Sequence, residues 1–387
     1  MLSPLGRSPS FGFGDRLGLA TPGHIAAVKG TEFAPIFAQQ SVRENARTGR
    51  TPQQVMDDAK RAVEAAQWDA PWGADADHLK TIEDIPPFIA AGYTFYTVDP
   101  GVFVDNAADT DPLPVLQEKT NQYNWDELAT IYLDPDSKTG FEPQDSETLL
   151  RALVKYGRAI LHTIEMYRYL AEHQEKFDFE VSVDETDSPT SPFEHYFIAN
   201  ELRRAGVHFT SLAPRFVGRF EKGVDYIGDL AVLDIELAKH AAVTTHFGTY
   251  KISLHSGSDK LSVYPLLAKH WGPRLHVKTA GTSYLEALRT LAVTEPDFFE
   301  RILTLSMACY ETDRATYHVS AEKDKVPLDR PLVDLLDDFH AREVLHVAFG
   351  SVLEQFGVEL NQALVKLTHA YQANLASHFR KHLNLLI

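Results

Sequence analysis

Polar and apolar side chains alternate from Lys251 to His255: Lys251, Ser253 and His255 against Ile252 and Leu254. Side chains on a strand have period two, so the three polar groups share one face. The same alternation recurs at 275–278, where His276 and Lys278 oppose Leu275 and Val277. It recurs again where Asp178, Glu180, Ser182 and Asp184 oppose Phe179, Val181 and Val183. Each of these strands leads into a helical pattern, so its apolar face packs against helices. The polar face must then look into something enclosed but wet, and the centre of a barrel fits that description.

Read in order, the chain predicts strands at Ser10–Gly14, Phe33–Ala38, Pro71–Ala76, Tyr93–Val98, Phe177–Val183, His208–Leu212, Tyr250–His255 and Arg274–Lys278. Helices are expected between them. Thr21 caps and Pro22 opens one through Val28, the preferred pairing for a start. Thr51-Pro52-Gln53-Gln54 opens another to Ala66, and others cover about Ile82–Ala91, Ser146–Gln174, Pro192–Ala205 and Asp225–Ala242. Beyond about Tyr284 the pattern is helical up to Leu360–Leu385. Strands each followed by helix give the α/β class and a (β/α)8, TIM-type barrel. Such a barrel needs about 250 residues. The surplus of this 387-residue chain falls in an insertion at about 104–148 and a helical C-terminal extension at about 296–387, within one domain, 1–387.

Composition narrows the function. Lys plus Arg is 37 against 54 Asp plus Glu, a formal charge of -17. That argues against a nucleic-acid or acidic-membrane partner and suits a divalent cation, although most of those carboxylates serve solubility. The lone Cys309 excludes an intramolecular disulfide and a Cys-rich zinc site. No apolar run approaches the roughly 20 residues that span a bilayer, and the first residues have no secretory core. A cytoplasmic setting is the default expectation. The helical extension offers a surface for a homo-oligomer.

Barrel enzymes carry their chemistry at the C-terminal ends of the strands. Those ends hold Asp15 and Arg16, Gln39 and Gln40, Asp77 and His78, Asp99, Asp184 and Glu185, Arg215, His255, and His276 with Lys278. Taken singly, a strand-end histidine is more often a satisfied structural residue than a ligand, Asp99 before Pro-Gly is a turn residue, and Asp15-Arg16 is a local ion pair. The coincidence of His78, His255 and His276 at three strand ends is what stands out. Three imidazoles converging with a carboxylate suit a first-row divalent metal, zinc first, with manganese or nickel as alternatives. The Ser/Gly loop SGSDK after His255, with Ser256 and Asp259, and the loop TAGTS after Lys278, with Thr279, favour a small anionic substrate. Lys251, Lys260, Lys278 and Arg215 supply positive charge beside them.

The blocks FGFGDRLGLATPGHI, FAPIFAQQSVREN, GADADHLKT, YKISLHSGSDK and HVKTAGTSYLEALR, with FGSVLE at 349–354, resemble the tagaturonate epimerase family, which also includes tagatose 4-epimerases. The resemblance runs from about Ser10 to beyond Arg289. It implies a metal-dependent epimerase interconverting D-tagaturonate and D-fructuronate in hexuronate catabolism. Its Asp-His pair falls on Asp77 and His78, and its acidic residue after the fifth strand on Glu185. Members of that family carry a longer region ahead of GDRLGLATPGH than this chain does. The expected machinery is therefore Asp77 and Glu185 as acid and base, His78, His255 and His276 on the metal, and Asp15, Arg16, Gln40, Arg215, Lys251, Ser256, Asp259, Lys278 and Thr279 around the substrate. Competing readings are a tagatose/fructose 4-epimerase, another metal-dependent sugar isomerase or aldolase on the same barrel, and a sugar-acid binding protein without turnover.

Overall fold

The computed structural model describes residues 1–136 and 139–387; Ser137 and Lys138, inside the expected insertion, lie outside them. Strands β1 (Ser10–Gly14), β2 (Ala34–Ser41), β3 (Gly73–Leu79), β4 (Phe95–Val98), β5 (Asp178–Val183), β6 (Ser211–Pro214), β7 (Lys251–Leu254) and β8 (Leu275–Thr279) close in chain order into one parallel barrel. β2 and β3 run three residues beyond their predicted ends, because pairing of Gln40 with Ala76 and Ser41 with Asp77 carries the ladder into polar sequence. Asp77 is thus a strand residue paired with Ser41, and His78 sits at the irregularity between Ala76 and Leu79 where β3 shifts its register on β4. β6 starts later than its pattern suggests, at Ser211.

Several helix starts read as expected. Thr51 and Ser191 each form a capping box with the residue three positions on, satisfying two otherwise orphaned N–H groups. Others shift. Thr21 is the first helical residue rather than the cap of Thr21–Val28, and no side chain caps that helix. The predicted Asp225–Ala242 helix spans Leu230–Phe247, with Asp229 accepting from the N–H of Ala231 and Val232. The single C-terminal run divides at Leu367 into Phe349–Lys366 and Thr368–Asn384. That last helix lies against Thr21–Val28, and its Phe379 ring sits 5.1 Å from Phe13 of β1. The extension therefore completes the outer wall, and its Leu375, Phe379 and Leu383 are buried in the main core. Among the described residues no helix is long and apolar enough to cross a membrane.

The barrel interior is layered. Leu5, Ile36 and Phe95 seal its floor, and the Leu5 and Gly6 N–H groups donate to Asp178. Above them lie Ser10, Lys251 and His276, then Asp75, Thr97, Glu180, Ser211 and Lys278, all buried. Gly12 makes room at this height: a Cβ there would stand 1.7 Å from Gln39 Oε1, so any side chain would displace Gln39. The alternation seen in the sequence is the origin of this polar interior.

Candidate active site

The site is built on one buried cation. Lys278 Nζ donates to Thr97 Oγ1 at 2.5 Å and lies 2.7 Å from Asp75, 2.8 Å from Asp77 and 2.8 Å from Glu180. Burial would lower its pKa, but the three carboxylates outweigh burial and hold the ammonium above its usual value. Burial pushes the Asp75 carboxyl up to about 7 against the pull of Lys278. Burial works upward on Asp77 too, yet His78 and Lys278 hold it well below the carboxylate range. Glu180 accepts from Ser211 Oγ at 2.5 Å, from Thr97 Oγ1 at 3.1 Å and from His255 Nε2 at 2.5 Å.

Above this network two imidazoles face each other, ring centroids 5.0 Å apart. His78 Nδ1 donates to Asp77 Oδ1 at 2.8 Å, which leaves His78 Nε2 buried and without a partner. His78 adopts φ +53, rare for a residue with a Cβ, which marks a position held for its side chain. His255 gives Nε2–H to Glu180, and its Nδ1 lies 3.1 Å from Ser182 Oγ and 3.3 Å from Asp184 Oδ1. Asp184 Oδ1 is also 4.0 Å from His78 Nε2. Burial opposes charge on both rings. On His78, Asp77 overcomes it and raises the pKa to about 10; on His255, Glu180 and Asp184 do so.

Donor atoms of Asp77, His78 and His255 all lie within 4.8 Å of one another. Each imidazole has one N–H tied to a carboxylate, an arrangement that fixes the other nitrogen toward a metal. The negative field that holds a proton on each ring would hold a divalent cation in its place. The residues therefore fit a metal ion, with Asp184 as a further carboxylate in reach.

His276 does not join them. It lies level with Ser253, one layer deeper than His255, and its Nδ1 faces Ser10 Oγ at 2.9 Å. Burial lowers it to about 3, so it is neutral. The expected trio of histidines becomes two histidines and a carboxylate because His276 is two positions before Lys278, and Lys278 already occupies the layer below the mouth.

A cavity of about 230 Å³ opens beside the imidazoles; Asp184, Glu185, Arg215, Lys222, His255 and Ser256 are in its wall. Glu185 stands at the exposed edge of this cavity, 3.9 Å from Arg43. Burial raises its pKa, and His78 more than reverses that. A smaller recess touches Arg16, Gln39, Asp77, His78 and Lys278.

The other expected substrate residues divide. Arg16, Arg215, Ser256 and Lys278 reach these cavities, although Arg16 is bound to Glu44 at 2.8 Å and Lys278 is fully engaged. Asp15 instead accepts the N–H groups of Leu17, Gly18, Leu19 and Ala20 and organises a turn. Gln40 points outward to Arg50, since period two lets only one of Gln39 and Gln40 face inward. Lys251 donates to Ser8 O and Ser10 Oγ near the floor, and burial lowers it to about 8. Thr279 donates to Gly12 O. Asp259, at φ +59, turns away to Arg342 at 2.8 Å and His378 at 2.5 Å, locking the loop after β7 to the C-terminal helix. Asp99 is the turn residue the sequence suggested, accepting from Gly101 N. Sequence reasoning missed Lys222, Arg43, Tyr317 and His318 in the cavity wall; they lie in loops and short helices without periodic signal.

Comparison with known proteins places this geometry. The family model described as UxaE, tagaturonate epimerase, matches residues 3–386. A Thermotoga maritima protein, tagaturonate/fructuronate epimerase, is 44% identical over 396 residues, covering 98% of this chain and 81% of that protein. The glycerol-bound crystal structure of fructuronate-tagaturonate epimerase UxaE from Cohnella laeviribosi superposes with a TM-score of 0.95 at 38% identity, covering 100% of this chain and 83% of that one. A probable tagatose 6 phosphate kinase from Sinorhizobium meliloti, with a TM-score of 0.53 at 12% identity over 98% of this chain and 100% of that one, shares the fold alone.

Proposed function

We infer the chemistry of this site from one premise: the chain belongs to the tagaturonate epimerase family. Its function is to interconvert D-tagaturonate and D-fructuronate. The observation that carries this is the 44% identity to a tagaturonate/fructuronate epimerase across 98% of the chain, and the barrel-mouth site supplies the means. Asp77, His78 and His255, with Asp184 beside them, would hold the metal, zinc being the ion their donors suit best. When bound, such an ion acts as a Lewis acid toward a carbonyl and neighbouring hydroxyl oxygen.

The two ketouronates differ at a β-carbinol carbon whose C–H the ketone does not acidify. Breaking the α,β carbon–carbon bond avoids that C–H. Removal of the proton from the carbinol hydroxyl lets its oxygen form the aldehyde C=O as the α,β bond breaks, and the bonding electrons stay on the α-carbon as an enolate. The aldehyde turns over, the enolate adds to its other face, and the proton returns to the new alkoxide. Glu185, in the cavity wall beside His78, is assigned that proton. Asp77 does not fit the partner role first expected of it: its Oδ1 already accepts from His78 and Lys278. Lys278, Thr97 and Glu180 hold the imidazoles in place.

Incubation with each ketouronate in D2O tests this. The expected result is the other epimer without deuterium at the inverted carbon, and trapped three-carbon fragments after a borohydride quench. Deuterium at that carbon would replace cleavage by proton exchange. Accumulating fragments without epimer would make the protein an aldolase.

A further inference from the structure

Two cations in the cavity wall form no ion pair among the described residues, although Lys222 is near enough to Asp184 and Glu185 to help lower both carboxyls. Lys222 Nζ donates to Ser256 Oγ at 2.9 Å and forms no ion pair among the described residues. The Arg215 guanidinium has neither a hydrogen bond nor an ion pair there; only its backbone is bonded, to Thr190. The neighbouring cations differ: Arg43 faces Glu185 at 3.9 Å, and Arg219 lies 3.3 Å from Glu221. Lys222 is half-buried and borders both the main cavity and the recess over His78. Ser256, its anchor, directly follows His255. A half-buried ammonium held by a neutral hydroxyl and in no contact ion pair can take an incoming anion, and a guanidinium in the same cavity wall adds a planar fork suited to a carboxylate.

We propose that Lys222, positioned by Ser256 and assisted by Arg215, binds the substrate's carboxylate and so makes the site selective for ketouronates over neutral ketohexoses. This rests on the epimerase reading and adds the residues that set substrate class. In a ketouronate the carboxylate lies at the far end of the carbon chain from the ketone. A clamp one residue from His255 therefore sets which part of the chain reaches the imidazoles. It also keeps hold of the aldehyde fragment while that fragment turns.

The test compares D-tagaturonate with D-tagatose, the neutral probe, by calorimetric binding and steady-state kinetics. Wild type, K222M, K222R, S256A and R215M are measured, with thermal melts to confirm folding. Wild type should bind the uronate at least tenfold more tightly than tagatose. K222M should bring that ratio within about threefold and raise KM for tagaturonate more than it lowers kcat, while K222R restores most of the preference. If K222M does not fold, S256A and R215M decide, each reducing the ratio severalfold. A preference left intact in these variants, or an equal loss for both sugars, would overturn the clamp. If wild type binds the uronate selectively but fails to epimerise it, the reaction assignment falls and the clamp stands.

Discussion

Glu343, packed against Glu221, couples the stability of the fold to pH. Both are buried. Glu343 Oε2 accepts from Ser320 N at 3.1 Å and Ala321 N at 2.8 Å, while its Oε1 has no donor. Glu221 accepts from Ser320 N and Oγ, both at 2.8 Å, and Arg219 stands 3.3 Å from it. A proton on Glu343 supplies a hydrogen bond between the two carboxyls. Burial, then Glu221, raises Glu343 from 4.5 to about 8. A native state that binds the proton more tightly is stabilised below pH 4.5 and loses that advantage as pH rises through 8. At about 1.4 kcal/mol per pKa unit, some 3 kcal/mol should be lost between pH 5.5 and 8.5. E343Q keeps the shape; its carbonyl accepts the same N–H groups and its amide donates to Glu221. Urea unfolding at both pH values should show E343Q losing less stability than wild type on going to pH 8.5, by about that amount. Parallel losses in the two proteins would refute the shared proton. The segment held by this pair carries Tyr317 and His318 of the cavity wall, so wild-type KM should rise with pH in the same window, and that of E343Q should not.

Replacing Glu185 by Gln should lower kcat by about 10²–10⁴-fold, the usual contribution of a general base, with zinc binding unchanged by calorimetry. K278M should leave Asp75, Asp77 and Glu180 without their shared cation and destabilise by about 3–5 kcal/mol in urea titration. Y250F removes the hydroxyl hydrogen-bonded to His195 Nε2 at 2.8 Å, in a network with His240 outside the barrel. It should cost about 1–3 kcal/mol and leave kcat/KM within twofold.

The architecture was legible because period-two alternation survives in strands whose two faces meet different surroundings. Lys251, Ser253 and His255 announced a polar interior on their own. Strand ends were less legible: β3 runs on through Asp77 only because Ser41 of β2 pairs with it, and no local propensity says so. Distance along the barrel axis was not legible at all. His276 and His255 both read as strand-end histidines, and only the register, with His276 beside Ser253, shows one a layer deeper. Asp15 and Asp259 were chosen because loops after strands bind substrates, yet both carboxylates satisfy the protein's own N–H groups or cations. Lys222 escaped notice because it belongs to a long loop whose path over the barrel mouth has no periodic signature.

Asp77, His78 and His255, rather than three histidines, are the residues proposed to hold a divalent cation at the barrel mouth. Zinc titration of metal-stripped wild type, H78A, H255A, D77N and H276A by calorimetry addresses this directly. One zinc per chain should bind wild type and H276A with similar affinity, and binding should weaken at least tenfold in the other three. Zinc affinity lost in H276A but kept in H78A would put the ion on His276 instead.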